Sequence, residues 1–229
     1  MIQHYIIIVA AGSGSRFGSN VPKQFLPLAG LPVLAHAIAT FRRALPCGKV
    51  LLVLSPNGAE HWRQLCEVHG IDSPQIVIGG ATRTQSVSNA LGAVRDAGCR
   101  PTDVVMIHDG ARPLVSEQLI RNVSAAIVSG SCQAAVPGYA PSDSLVHIAA
   151  DGTVEPVLRD DYRVVQTPQA FRADCLFAAY DSLGSLTFTD DLSAVIAASD
   201  ATVRVVDGER SNIKITHPGD LDVALLHMK

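Results

Sequence analysis

The residues best placed to do chemistry come early, where Ala10-Ala11-Gly12-Ser13-Gly14-Ser15-Arg16-Phe17-Gly18 follows an apolar run and Pro22-Lys23-Gln24 comes soon after. Glycines let backbone N–H groups come close to an anion, and Arg16 and Lys23 would clamp that anion from either side. The Gly-x-Gly-x-x-x-Gly spacing is not that of a dinucleotide loop, and no acidic residue precedes Glu60 to hold a ribose hydroxyl. No Gly-Lys-Ser/Thr follows, so a Walker loop is excluded as well. A triphosphate suits what remains. The charge distribution agrees: residues 1–59 carry five basic and no acidic side chains, a local +5, so the net −3 leaves −8 for residues 60–229.

Two further clusters end apolar runs. Gly79-Gly80-Ala81-Thr82-Arg83 with Ser86 could form a pocket for a base and ribose, or simply a turn and helix cap. In His108-Asp109-Gly110-Ala111-Arg112-Pro113, Asp109 could hold a substrate hydroxyl or a Mg²⁺ ion and Arg112 could fork a phosphate. The same residues would equally make a helix-entry turn closed by an Asp–Arg pair. Farther on, Arg159, Gln166-Thr167-Pro168-Gln169 and Asn212-Ile213-Lys214 place polar groups in apolar surroundings. Thr189-Asp190-Asp191 is expected to cap a helix, and the Lys214 ammonium to lie in solvent or in the cleft.

The elements that must position these residues alternate. Strand-length apolar runs at Tyr5 to Val9, Val50 to Leu54, Gln75 to Ile78, Val104 to Ile107 and Ala134 to Val136 are separated by helical periodicity near 32–44, 58–69, 84–97 and 116–129. This pattern predicts an α/β fold, a Rossmann-like, mostly parallel sheet with helices on both faces, its first and fourth strands adjacent at the switch point. Ligands of such sheets bind beyond the carboxyl ends of the strands, where all three clusters fall. Over 137–160 the rhythm breaks at Pro137, Gly138, Pro141, Asp151-Gly152 and Pro156. A protruding antiparallel β-arm is expected there, one that gains by packing on a second subunit, within a single domain spanning 1–229. The chain then returns through Tyr162 to Val165, helices near 171–181 and 190–198, a strand at Thr202 to Val206, Asn212 to Ile215 and a last helix from Pro218.

Composition removes other classes. Aromatics are 5% with no basic stripe, which argues against a nucleic-acid groove. The apolar stretch at Tyr5 to Ala11 is too short for a membrane span, and residues 1–4 lack a basic signal region, so a cytoplasmic protein is expected. Five scattered cysteines and eight scattered histidines show no metal-ligand or disulfide spacing, and reduced, mostly buried thiols are expected.

Together, Ala10 to Arg16, Pro22-Lys23-Gln24, Gly79-Gly80 with Arg83 and Ser86-Val87, His108 to Pro113, Gln166 to Gln169 and Asn212-Ile213-Lys214 resemble the 2-C-methyl-D-erythritol 4-phosphate cytidylyltransferase family over nearly the whole chain. The resemblance implies a homodimer with exchanged arms and a reaction of CTP with methylerythritol phosphate, releasing pyrophosphate, in non-mevalonate isoprenoid synthesis. It implies CTP contacts from Ala11, Gly12, Gly14, Arg16, Lys23, Gly80, Arg83, Ser86 and Asp109, with Asp109 near Mg²⁺ or another divalent cation. Arg16 and Lys23 would stabilise charge at the α-phosphorus. Lys214 and the partner arm's Arg159 would position the acceptor, with Asp109, Arg112, Ser144 and Thr167 as neighbours. Ser144 stands where the family more often has threonine, and Val146-His147 where lysine is common. The alternatives are a ribitol-5-phosphate cytidylyltransferase and a non-catalytic nucleotide-sensing module; a hexose-1-phosphate nucleotidyltransferase would place its lysine farther from Arg16.

Overall fold

Apolar side chains on both faces of the first strand decide the layering. In β1 (His4–Val9), Ile6 and Ile8 point to one side and Tyr5 and Ile7 to the other, and all four are buried. A strand buried on both faces needs helices above and below it. The computed structural model describes residues 2–12, 21–184 and 186–228. After β1 come a short hairpin of β2 (Pro27–Leu28) and β3 (Leu31–Pro32), then α1 (Val33–Ala44), β4 (Lys49–Leu54), α2 (Pro56–His69), β5 (Gln75–Ile78) and α3 (Arg83–Asp96). The second half holds β6 (Val104–Asp109), α4 (Glu117–Val128), β7 (Ala134–Tyr139), β8 (Val146–Ile148), β9 (Val154–Pro156), β10 (Val164–Val165) and β11 (Gln169–Arg172). It closes with α5 (Ala173–Ser182), α6 (Asp191–Ala198), β12 (Val203–Asp207) and α7 (Gly219–His227).

Among the described residues the main sheet has eight strands, in the order β10-β7-β11-β6-β1-β4-β5, with β12 also paired to β7. The pairs β5–β4, β4–β1, β1–β6 and β7–β12 are parallel. The expected switch point is present: β1 lies between β4 and β6, with Val9 in register with Asp109. One face of the sheet packs on α1, α2 and α4 through Leu34, Ile38, Phe41, Trp62, Leu119 and Val123. The other packs on α3, α5 and α6 through Val87, Leu91, Val94, Leu176 and Val195.

The structure adds an element that sequence periodicity missed. Gln169–Arg172 is an antiparallel strand inserted between β6 and β7, not the start of a helix. Its four residues run straight into α5, so their alternation merged with the helical pattern. Residues 212–215 belong to no strand; Ile215 N donates instead to Ala111 O at 2.8 Å. The arm is a β8–β9 hairpin apart from the main sheet, turning at Asp151-Gly152, where Gly152 adopts φ +85° and Asp151 Oδ1 accepts from Thr153 N. Pro137 to Tyr139, read from sequence as the arm's beginning, stay in β7, held by pairing with β10 and β12. All five cysteines are free, but only Cys66 and Cys132 are buried; Cys99 and Cys175 are half-buried and Cys47 is exposed.

Candidate active site

Three chain segments meet beyond the carboxyl ends of β1, β5 and β6. Leaving β1, Ala10 N bonds Val53 O, and the carbonyls of Ala10 and Gly12 both accept from the Gln24 side-chain amide, at 2.8 and 3.2 Å. Gln24 is buried in the short 3₁₀ turn Lys23–Phe25, and Phe25 packs against His61 and Trp62. The turn is therefore fastened at one end to the core and at the other to the glycine loop, and Lys23 rides on it. Gly14 and Arg16 lie outside the described residues.

The loop after β5 sits directly against the glycine loop after β1. A Cβ on Gly79 would come within 2.7 Å of Ala11 Cβ and 2.8 Å of Ser86 Oγ, so only glycine allows this approach. Ser86 is buried beneath the turn, accepting from Gly80 N at 3.1 Å and donating to Thr82 O at 2.8 Å. Thr82 caps α3 by accepting from Gln85 N. The turn-and-cap reading of this segment is thus realised, and the capped turn also borders the glycine loop.

Asp109 is the electrostatic centre. Lys214 Nζ lies 2.8 Å from Asp109 Oδ2, Arg112 Nε 3.6 Å from the same oxygen, and Arg83 Nη2 4.0 Å from Oδ1. Burial alone would push the Asp109 carboxyl up. Lys214, then Arg83 and Arg112, outweigh it and hold the group at about 2. Arg112 is turned inward, donating from Nη1 to Asn212 O at 2.8 Å, and burial pulls its pKa down. Thr167 is buried as well; its Oγ1 accepts from Asp109 N at 3.0 Å and lies 3.0 Å from His108 Nδ1.

Arg83 is committed elsewhere. It forks Asp191, with Nη1 at 2.9 Å from Oδ1 and Nη2 at 2.6 Å from Oδ2, and Tyr180 donates to Asp191 Oδ1 at 2.6 Å. Burial lowers the arginine's pKa, but Asp191 more than reverses that and drives it up; burial, then the same carboxylate, drives the Tyr180 phenol up. Asp190 does cap α6, accepting from Ser193 N, as its motif implied. Its neighbour Asp191 does something different, and its side chain is 0% exposed.

Residues 4–229 match the family model described as 2-C-methyl-D-erythritol 4-phosphate cytidylyltransferase. The chain belongs to that family. It is 44% identical over 220 residues to the Bacteroides fragilis 2-C-methyl-D-erythritol 4-phosphate cytidylyltransferase, covering 95% of this chain and 96% of that one. Identity to the Cereibacter sphaeroides enzyme of the same name is 41%, over 93% of this chain and 92% of its relative. Among solved structures, the Thermus thermophilus 2-C-methyl-D-erythritol 4-phosphate cytidylyltransferase superimposes with a TM-score of 0.73 at 33% identity, covering 99% of this chain and 98% of that one. The 4-diphosphocytidyl-2C-methyl-D-erythritol synthase of Anaerococcus prevotii gives 0.82 at 27% identity, over 99% and 96%.

Of the residues that the family resemblance singled out, the fold brings Ala11, Gly12, Gly80, Arg83, Ser86, Asp109, Arg112, Thr167 and Lys214 to this one end of the sheet. Ser144 and Arg159 stay on the exposed arm, where Arg159 Nη1 donates to Ser142 O at 2.9 Å. Among the described residues, no hydrogen bond or ion pair joins either to the Asp109 cluster within this chain. Sequence reasoning missed Gln24 as the anchor of the glycine loop and Asp191 as the partner of Arg83. For Asp191 the available signal was a second acidic residue directly after a sufficient cap. Among the described residues no three His, Cys, Asp or Glu side chains converge on a metal site. A lone carboxylate with hard oxygens, Oδ1 being the less engaged, fits a Mg²⁺ ion that keeps phosphate and water as its other ligands. No helix among the described residues is long and apolar enough to cross a membrane.

Proposed function

We propose that this protein joins CTP to 2-C-methyl-D-erythritol 4-phosphate, giving 4-diphosphocytidyl-2-C-methyl-D-erythritol and pyrophosphate, a step of non-mevalonate isoprenoid synthesis. The observation that carries the reading is the Lys214–Asp109–Arg112 cluster at the carboxyl end of β6, in a chain that matches the family over residues 4–229. The acceptor phosphate is a monoester, mostly dianionic at neutral pH because its second pKa is near 6. An oxygen of it forms the new bond to the α-phosphorus of CTP. The bond from that phosphorus to the bridging oxygen breaks, and pyrophosphate leaves with the electron pair. No side chain has to remove a proton. The work left to the protein is to bring two polyanions into line and to offset the charge that grows at the α-phosphorus.

In this reading the glycine loop with Arg16 and Lys23 holds the triphosphate, and Gly80 and Ser86 shape the cytidine side. Lys214 and Arg112 receive the acceptor phosphate beside Thr167 and Asp109. Mg²⁺, held by Asp109 and the CTP phosphates, would add further positive charge there. The arm supports a homodimer: Val146, Ile148, Val154 and Leu158 are 57%, 65%, 59% and 66% exposed, an apolar surface that a second copy would cover. Arg159 and Ser144, remote from the cluster in their own chain, would then reach the partner's site. A cytoplasmic location suits both substrates.

Pyrophosphate release from CTP and Mg²⁺, measured with methylerythritol phosphate and in parallel with ribitol 5-phosphate, tests the reading. Turnover with methylerythritol phosphate is expected. Preference for ribitol phosphate, or CTP binding without turnover on either acceptor, would refute it.

A further inference from the structure

We infer that His108 and Asn212 are positioning residues for the acceptor half of the site, acting through a closed hydrogen-bonded ring that locks together the segments bearing Asp109, Arg112, Thr167 and Lys214. The inference rests on the function proposed above. Both side chains are 0% exposed, so neither meets substrate directly. His108 Nε2 lies 3.1 Å from Arg112 O, which can only accept, so Nε2 carries the proton. Nδ1 is then an acceptor, and the Thr167 hydroxyl, 3.0 Å away, donates to it. With its proton committed, Thr167 Oγ1 is left to accept from Asp109 N.

Asn212 closes the circuit. Its Nδ2 donates to Thr167 O at 2.9 Å, and its own backbone carbonyl accepts from Arg112 Nη1 at 2.8 Å. The ring therefore runs from His108 to Thr167, Asn212, Arg112 and back to His108, through three stretches far apart in sequence. Gln166 braces it by donating to Asn212 O at 3.1 Å, and Ile215 N ties the Lys214 segment to Ala111 O at 2.8 Å. Two residues beyond Asn212, Lys214 reaches Asp109. The Phe41 ring packs edge-on to the imidazole, with centroids 5.1 Å apart, and fixes its plane.

The ring spares the other half of the site. Among the described residues, Ala11, Gly12, Gly79, Gly80 and Ser86 bond none of its members; Gly12 O accepts from Gln24, Gly79 N donates to Leu54 O, and Ser86 bonds Gly80 N and Thr82 O. Loosening the ring should therefore disturb the acceptor's cations far more than CTP binding, which feels the ring only through Asp109. A residue that merely supports the fold would move both substrates alike, or neither.

The test is steady-state kinetics on His108→Phe, which keeps a ring of similar size and loses both bonds, and on Asn212→Leu. His108→Gln is the conservative comparison, since its amide can still donate to Arg112 O. Loss of buried hydrogen bonds of this kind predicts a roughly tenfold or larger rise in KM for methylerythritol phosphate, with KM for CTP within about twofold. His108→Gln should fall between. If His108→Phe does not fold, as read by circular dichroism, the glutamine variant decides alone. An unchanged acceptor KM in a folded variant, or an equal rise for both substrates, overturns the inference. The unsubstituted protein is assayed alongside: its turnover with this acceptor fails only if the function itself is misread, in which case the inference falls with it.

Discussion

Replacing Asp191 by asparagine should reveal how much the fold depends on one buried pair. Arg83 gives both its terminal nitrogens to Asp191, at 2.9 and 2.6 Å, and its side chain is 24% exposed against 0% for the carboxylate. Removing one partner from a buried pair leaves an uncompensated charge and costs about 3–5 kcal/mol. Here the cost belongs near the lower end, about 3 kcal/mol. Arg83 retains some solvent, Asp109 lies 4.0 Å from Nη2, and the asparagine oxygen can still accept from Tyr180. A domain whose total stability is of the order of 5–15 kcal/mol stays folded after such a loss, so the value is measurable from the shift of a urea midpoint. The double variant Arg83→Met with Asp191→Leu removes both charges and fills the space with apolar groups, and it should recover most of the lost stability. It should not recover full turnover, because one of the three cations around Asp109 is gone. A loss below about 1 kcal/mol in Asp191→Asn would refute the reasoning, as would a double variant no more stable than the single one.

The remaining predictions concern pH and glycine. Burial lowers His108 from its usual 6.5 to about 4, so the folded protein favours the neutral ring and the unfolded chain binds the extra proton first. Stability from this residue is present above pH 6.5 and falls as pH drops from there towards 4, by roughly 3 kcal/mol in all. Comparing unfolding free energies at pH 7 and pH 4.5 should give a shallower decline in His108→Gln than in the unsubstituted protein, and equal declines would show that the ring does not carry this linkage. Gly79→Ala would drive a methyl group to 2.7 Å from Ala11 Cβ, which should cost about 1–3 kcal/mol and raise KM for CTP. Gly12→Ala, with nothing among the described residues within 4 Å of the added methyl, should leave the melting temperature unchanged; equal losses in the two variants would contradict the close approach of the loops.

The alternation of apolar runs with helical periodicity was enough to place β1, β4, β5, β6 and β7 and the four helices between them, because a doubly covered sheet leaves long, unambiguous apolar runs in its central strands. It could not place Gln169–Arg172, whose burial comes from the neighbours β6 and β7 and not from any pattern of its own. Within the site, Asp109 and Arg112, charged residues in one short turn after a strand, were legible as neighbours at this end of the sheet, whereas Lys214 was left between solvent and the cleft. Residues whose partners lie far along the chain were not. Nothing near Arg83 points to a carboxylate 108 positions later, and nothing near His108 points to a hydroxyl 59 positions on. Arg112 shows the converse limit. Sequence offered a phosphate fork or a turn-closing ion pair, and the fold uses one edge of the guanidinium for Asn212 O while keeping Nε towards Asp109.

The distribution of charge explains why a site of this kind can work without a general base. Asp109 is one carboxylate among three cations, so the cluster carries an excess of positive charge even with Asp109 ionised at about 2. A carboxylate buried there would be costly on its own. What it provides is alignment: Lys214 from the segment after Asn212, Arg112 from the turn after β6 and Arg83 from the start of α3 would repel one another without a common anion. Asp109 thus binds Lys214 directly and offsets the repulsion among all three, while Asn212 O fastens Arg112 and Asp191 fastens Arg83. On the proposed function, an incoming phosphate would meet cations whose arrangement is already in place, and the energy of orienting them would not be demanded as the α-phosphorus gains charge. The reaction needs charge held in position more than it needs a proton moved, and the buried ring around His108 and the fork on Asp191 serve the same end from behind.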